Sequence, residues 1–243
     1  MRVGLQPFTI SAIEEPFDRK LERIVRARYE GIELGLSSVA DAHEAVSDAG
    51  LAITSLASSL EEIEADPAAH REACATAGTD DVVIMWLDEE HFASAAAVAE
   101  TATALDEAAD RLAEHDLRLH YHNHDHEFVD VDGVPALERL VEETDRLRFE
   151  LDLGWAGAGG VDPVALLERI GDRVSLVHVK DMDFTERAFL TFGEGDLDVA
   201  GAVDAARSAD VDWMIVENDD PVDPIAEPAH ASLLLDEHVG HIA

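Results

Sequence analysis

Short β-branched or apolar runs alternate with helical patterns eight times along this chain, and that alternation constrains its fold more than any single residue does. The strand runs are Val3–Ile10, Gly31–Leu34, Ala52–Leu56, Asp81–Trp86, Leu117–His122, Arg148–Asp152, Val174–Val179 and Trp213–Val216. Helical periodicity follows each of them, over Pro16–Tyr29, Ser38–Ala49, Pro67–Ala77, His91–Glu114, Val134–Glu143, Pro163–Ile170, Val199–Ser208 and Pro224–Val239. Strands that each lead into a helix pair in parallel. Eight such units predict an α/β protein, a closed (β/α)8 barrel forming one domain over residues 1–243. An open doubly wound sheet would carry a glycine-rich turn after an early strand. The turn Gln6-Pro7-Phe8-Thr9 has no glycine, so the barrel is the preferred reading.

A barrel of this kind builds its active site from the C-terminal ends of its strands. Glu33 sits at the end of strand two, within Gly31-Ile32-Glu33-Leu34-Gly35, and Trp86 and Asp88 end strand four. Strand five runs into His120-Tyr121-His122-Asn123-His124-Asp125-His126-Glu127-Phe128. Asp152, His178 with Lys180, and Glu217 end strands six, seven and eight. Side chains alternate along a strand, so one ligand from each of four neighbouring strands can converge on the barrel axis. His122, Asp152, His178 and Glu217 meet that description. Two imidazoles with two carboxylates suit Mn²⁺, Co²⁺, Fe²⁺ or Zn²⁺ better than Ca²⁺. The plainer alternative, that each residue caps a helix or bonds a loop, is harder to sustain for four consecutive strand ends.

The charge balance adds to this. The chain has 17 basic residues against 54 acidic ones, a formal net charge of −37, and Lys20 and Lys180 are its only lysines. Arginine replaces lysine almost everywhere, so a lysine kept two residues after His178 points to a compact cation or proton donor in a site. An ion pair with Asp181 or a neighbouring carboxylate is the structural alternative. The acidic surface resembles that of proteins from salt-in halophiles, where concentrated salt screens self-repulsion. No basic stripe is present, which disfavours nucleic acid as a partner. An apolar fraction of 47% excludes a disordered acidic tail. One cysteine, Cys74, excludes an intrachain disulfide framework and is read as core. No run of about 18 apolar residues predicts a membrane span, and no signal-peptide pattern follows Met1, so the cytoplasm is the expected location. Gly157–Gly160 and Gly193-Glu194-Gly195 are read as flexible connections, because no Walker-type lysine follows them. Phe8, Trp86 and Trp155 suit either an apolar wall for a sugar ring or the rim of the core.

The segments Tyr121–Phe128, Phe149–Trp155, Val177–Asp181, Gly193–Asp198 and Val216–Asp219, with Gly31–Gly35 before them, resemble the xylose-isomerase-like TIM-barrel superfamily of sugar phosphate isomerases and epimerases. The likeness covers essentially the whole chain. It implies a divalent-metal enzyme acting on a hydroxy-ketone or hydroxy-aldehyde of a sugar or cyclitol through an enediolate. The superfamily's ketose epimerases bind metal with Glu, Asp, His and Glu from strands five to eight. Asp152, His178 and Glu217 match the last three, and His122 stands in place of the first. The resemblance therefore implies an isomerase or epimerase of a sugar or sugar phosphate, holding one divalent metal (Mn, Co, Fe or Zn). Glu217 is the expected base, and Lys180 the oxyanion partner or proton donor. Glu33, Trp86, His124, Glu127 and Glu194 are the expected substrate contacts. Losing one glutamate of the acid–base pair keeps a second outcome open, dehydration of a keto-cyclitol or elimination from a 3-oxo-glycoside. A non-catalytic sugar-binding barrel is a third. A DNA-repair endonuclease of the superfamily would need further histidines on the early strands, which lack them. The expected partner is a small carbohydrate, with no membrane, and some superfamily members pair as homodimers through the barrel rim.

Overall fold

The computed structural model describes residues 1–239. Its eight parallel strands are β1 (Arg2–Leu5), β2 (Gly31–Gly35), β3 (Ala52–Ser58), β4 (Asp81–Ile84), β5 (Arg118–His122), β6 (Arg148–Asp152), β7 (Val174–Val179) and β8 (Trp213–Val216). Each pairs with its successor, and β8 closes on β1 with Arg2 opposite Trp213. The expected (β/α)8 barrel is therefore the observed fold.

Around it lie α1 (Phe17–Arg26), α2 (Val39–Asp48), α3 (Leu60–Ala65), α4 (Pro67–Ala77), α5 (Ala95–Ala113), α6 (Ala136–Glu143), α7 (Leu153–Ala158), α8 (Pro163–Ile170), α9 (Val199–Ser208) and α10 (Glu227–Val239). Among the described residues, no helix is long and apolar enough to cross a membrane.

Strand alternation builds two apolar layers. Outward residues such as Leu5, Ile32, Tyr121, Phe149 and Val179 pack against helix residues such as Leu21, Leu105, Leu140 and Leu166. Inward residues Val83, Leu176, Trp213 and Ile215 form a separate cluster that fills the lower barrel. Each such side chain contributes roughly 1.5–3 kcal/mol by leaving water. The next inward position up β7 is His178 and up β8 is Glu217, so polar groups begin where this plug ends.

Element boundaries differ from expectation at identifiable signals. The first strand stops at Leu5, because Pro7 opens a 3₁₀ turn (Pro7–Ile10) whose Phe8 N–H is accepted by the Gln6 side chain. β4 ends at Ile84, two residues short of Trp86. The helix expected from His91 starts at Ala95, where the Ser94 hydroxyl accepts the Ala97 N–H, and Glu89–Phe92 forms its own 3₁₀ turn. Val134–Pro135 pairs with Asp130–Val131 across an Asp132-Gly133 turn, which delays α6 to Ala136. The last helix begins at Glu227 and not Pro224. Two short helices were not anticipated. α3 is nucleated by a capping box between Ser59 and Glu62. α7 begins directly at Leu153, because the Asp152 carboxylate accepts the Trp155 N–H at 2.8 Å. Gly157 and Gly159 are not flexible linkers either, since a Cβ on them would collide with the rings of Phe184 and Phe128.

Candidate active site

The four strand-end residues His122, Asp152, His178 and Glu217 meet on the barrel axis. Each is buried and offers one ligand atom, and these atoms lie within 4.8 Å of one another. Local bonds prepare them. Asn123 clamps the end of β5 to that of β6, accepting the Asp152 N–H at 2.9 Å and donating to the Asp152 carbonyl at 3.2 Å. One Asp152 oxygen caps α7, and the other, Oδ2, is buried without a hydrogen-bond partner. It lies 3.9 Å from His122 Nε2 and 3.4 Å from Lys180 Nζ. Glu217 Oε2 is 2.9 Å from His178 Nδ1 and 3.0 Å from Lys180 Nζ.

Two further carboxylates contact the imidazoles. Glu150 Oε2 is 3.1 Å from His122 Nδ1 and 3.4 Å from His178 Nε2. Glu33 Oε2 is 2.9 Å from His178 Nε2, and Glu33 itself accepts from Gln6 Nε2 at 2.6 Å and from the Ser55 hydroxyl. Glu33, Glu150 and His178 form a second set of groups close enough to hold an ion. Glu150 lies within the Phe149–Trp155 segment, one inward position below the strand end, and the strand-end reading misses it. Its position two residues before Asp152 on the same strand face was the available signal.

The electrostatics follow from crowding acids in a dry place. Burial and the facing Glu33 hold the Glu150 carboxyl well above its ordinary range. Burial would lower His178, but the carboxylates of Glu150, Glu33 and Glu217 outweigh it and hold the imidazole well above its usual value. Burial and the neighbouring His178 hold His122 well below. Burial would also discharge Lys180, yet Asp152, Glu217 and Asp219 push its ammonium up; Asp219 lies 2.8 Å away. Burial and then Glu217 push the Asp219 carboxyl up to about 6. Asp152, Glu217 and Asp219 thus gather around Lys180, while Glu33 and Glu150 gather around His178. Surplus negative charge, an Asp152 Oδ2 that accepts no hydrogen bond and a mixed imidazole–carboxylate donor set together fit a divalent cation.

This cluster forms the floor of a cavity of about 1070 Å³. Glu33, Trp86, His122, His124, Lys180 and Glu217 all border it, so most of the expected contacts converge. His124 stacks edge-on against Trp86 with centroids 4.5 Å apart, its Nδ1 is buried without a partner, and burial pushes its imidazole down to about 3. Two expected contacts do not reach the cavity. Glu127 is buried beneath the loop, accepting the Tyr121 hydroxyl at 2.5 Å and the His124 N–H at 2.9 Å, so it shapes the loop that carries His124. Glu194 is exposed, because Asp181 Oδ2 takes the N–H groups of Gly193 (2.7 Å) and Gly195 (2.9 Å) and turns the intervening side chain outward. Lys180 does not pair with Asp181, whose carboxylate is spent on the loop, but it does form the ion pairs with neighbouring carboxylates that the structural alternative expects, to Asp152, Glu217 and Asp219. Gly154 lets the Lys180 segment approach α7, since a Cβ there would come within 2.5 Å of the Lys180 carbonyl.

Residues 11–237 match a family described as a xylose isomerase-like TIM barrel. An inosose dehydratase from Geobacillus kaustophilus (strain HTA426) is 30% identical over 147 residues, a match spanning 52% of this chain and 46% of that protein. An inosose dehydratase from Lacticaseibacillus casei is 24% identical over 248 residues, spanning 84% of this chain and 82% of that one. In three dimensions the chain is similar to a sugar phosphate isomerase/epimerase from Parabacteroides distasonis ATCC 8503, with a TM-score of 0.83, 20% identity, and coverage of 99% and 95%. At that identity the likeness is one of fold.

Proposed function

Because the chain belongs to the xylose isomerase-like TIM barrel family, we propose that it is a divalent-metal-dependent enzyme that moves the proton α to the carbonyl of a sugar or cyclitol, as an isomerase or epimerase. The observation that carries this reading is the buried set of two imidazoles and two carboxylates whose ligand atoms lie within 4.8 Å of one another, with an Asp152 Oδ2 that accepts no hydrogen bond. A bound Mn, Co, Fe or Zn ion held by His122, Asp152, His178 and Glu217 would supply Lewis-acid polarisation of the substrate carbonyl.

The chain's own groups divide the remaining work. Glu217 borders both the donor set and the cavity, and its carboxylate is the base assigned to the α-proton. Lys180 presents a positive charge 3.0 Å from Glu217, beside the substrate oxygen that becomes negative as the proton leaves. Glu33, His124 and Trp86 are the cavity residues assigned to the substrate's hydroxyls and ring face. The acidic, lysine-poor composition supports a salt-rich cytoplasm as the working medium.

One observation favours a second reading, β-elimination. The Lys180 ammonium, kept charged by its carboxylate neighbours, borders the cavity 3.0 Å from Glu217 and can serve as an acid beside that base. After Glu217 takes the α-proton, the Lys180 ammonium can protonate a departing β-hydroxyl, so the C–O bond breaks and water leaves. The inosose dehydratases among the relatives support the same outcome.

Metal content and proton exchange test both. Protein purified without chelator is expected to carry about one equivalent of metal. Asp152→Ala is expected to lose it, with Asp152→Asn as a second variant that can still cap α7. In D₂O, an inosose or ketose should gain deuterium at the α-carbon only with metal present. A rearranged sugar identifies an isomerase or epimerase, and an unsaturated product identifies the lyase. No metal after reconstitution, with no exchange, overturns the reading and leaves a sugar-binding barrel, whereas exchange that persists in chelated protein overturns the metal's role and leaves a metal-independent enzyme.

A further inference from the structure

The four residues assigned to the metal come from the ends of β5 to β8, and β1 to β4 supply none of them. Yet Glu33 on β2 crosses the barrel to His178 Nε2 at 2.9 Å, with only 1% of its surface exposed. Its seat is built by the strands on either side. Ile32 pairs with Ile53 and Leu34 with Leu56, so β3 bulges and sets two residues, Thr54 and Ser55, opposite Glu33 alone. A bulge re-aims side chains. Here both face the barrel interior: a Cβ on Gly31 would meet the Thr54 methyl at 3.0 Å, and the Ser55 hydroxyl donates to Glu33 Oε1. Gln6, just after β1, is oriented by its own Oε1, which accepts the Phe8 N–H. Its amide nitrogen is thereby left to donate to Glu33 Oε2 at 2.6 Å.

This seat selects one face of the imidazole. A histidine ligates a metal through the lone pair of one nitrogen and carries its proton on the other, whereas an ionised carboxylate only accepts. With Glu33 at 2.9 Å and Glu150 at 3.4 Å, Nε2 of His178 is the nitrogen that keeps the proton. Nδ1, on the Glu217 side at 2.9 Å, is then the ligating one. Glu150 stands closer to His122 Nδ1, at 3.1 Å, so each imidazole has its own carboxylate. A carboxylate has about four lone-pair sites, and Glu33 gives three of them to Ser55, Gln6 and His178. At most one is left for a substrate hydroxyl at the cavity.

Resting on the metal-dependent reading above, we propose that Glu33 is the positioning residue of His178: seated by Gln6 and Ser55, it holds the Nε2 proton and turns Nδ1 to the metal. The half of the barrel that supplies no ligand thereby sets the affinity and the geometry of the metal centre. Carboxylates that orient a ligating histidine change metal affinity by about 10–100-fold.

Cobalt binding tests this, because Co²⁺ is among the candidate ions and its visible absorption follows its coordination geometry. Affinity is read by chelator competition, geometry from the absorption bands of the loaded protein, and folding from urea melts of the metal-free protein. Glu33→Ala is expected to bind Co²⁺ about 10–100-fold more weakly and to shift the bands. Glu33→Gln, whose amide oxygen can still accept the Nε2 proton, should return to within about fivefold of wild type with the bands in place. Ser55→Ala keeps Glu33 but loosens it, should bind about fivefold more weakly, and decides the matter if Glu33→Ala does not fold. Wild-type affinity and bands in the alanine variants overturn the inference. A raised KM for α-deuteration of an inosose or ketose, with metal binding intact, then makes Glu33 a substrate contact only. Equal losses in Glu33→Ala and Glu33→Gln overturn it as well, since charge and not the held proton would be at work. In each of these cases metal-dependent α-deuteration by the wild type still upholds the enzymatic reading. A wild type that takes up none of the candidate ions overturns both.

Discussion

Lys180 is held at once by Asp152, Glu217 and Asp219, at 3.4, 3.0 and 2.8 Å, with its ammonium 4.9 Å from the Trp155 ring centroid. A guanidinium is larger, planar and differently directed, and Gly154 leaves no spare room beneath it. Lys180→Arg is therefore expected to lower kcat for α-proton exchange by about 100-fold, with metal content retained. An unchanged kcat would reduce Lys180 to a structural ion pair. Glu150 holds the far nitrogen of His122, fixing which nitrogen faces Asp152. Glu150→Gln is expected to weaken metal affinity by about 10–100-fold, read by chelator competition. The difference in legibility between these residues is physical. His122, Asp152, His178, Lys180 and Glu217 stand at strand ends, where local periodicity announces them. The outward turn of Glu194 and the engagement of Glu127 depend on Asp181, Tyr121 and the His124 N–H, and strand periodicity does not foretell such bonds.

At the scale of elements, the lower end of the barrel is a stability device. Asp81 opens β4, and its carboxylate lies 2.7 Å from both His120 Nε2 and Arg118 Nη2 at the adjoining β5. Burial would raise the Asp81 carboxyl, but His120 and Arg118 outweigh it and hold it below its usual value. The folded chain therefore binds this proton less readily than the unfolded one. The resulting stabilisation is full above the unfolded value of about 3.9 and fades as pH falls through the lower folded value. Asp81→Asn is expected to destabilise by about 1–3 kcal/mol near neutrality. The gap from wild type should narrow below about pH 3, and urea melts at both pH values check it. Asp106 on α5 does similar service across elements, accepting the N–H groups of Asp145, Arg146 and Leu147 at 2.7, 3.0 and 3.0 Å just before β6. Asp106→Ala should lower the unfolding midpoint by an amount equivalent to about 1–2 kcal/mol, with metal affinity little changed.

For the whole molecule, a net charge of −37 on 243 residues makes self-repulsion a term in folding stability. Most arginines already pair at the surface, as in Arg23–Glu15 at 2.6 Å and Arg169–Glu138 at 2.8 Å, so many carboxylates remain for solvent cations to screen. The melting temperature is expected to rise from dilute buffer to molar KCl, by about 2–4 °C for each kcal/mol of repulsion relieved. A melting temperature indifferent to salt would remove the halophilic reading of the composition and leave the barrel as it is.

Eight alternating units and four ligand-type strand ends were legible along the chain because both are properties of local period and residue chemistry. Helix and strand spacing repeat within a few residues, and a barrel places strand ends together whatever its details. Closure of the sheet decided the rest. Glu33 reaches His178 across 145 residues only because β2 and β7 face one another inside the barrel. Which carboxylates are consumed by loops, which oxygen of Asp152 caps α7 and which faces Lys180, and which side chains wall the cavity are all set by register and packing between distant segments. Those are interactions that no local period encodes.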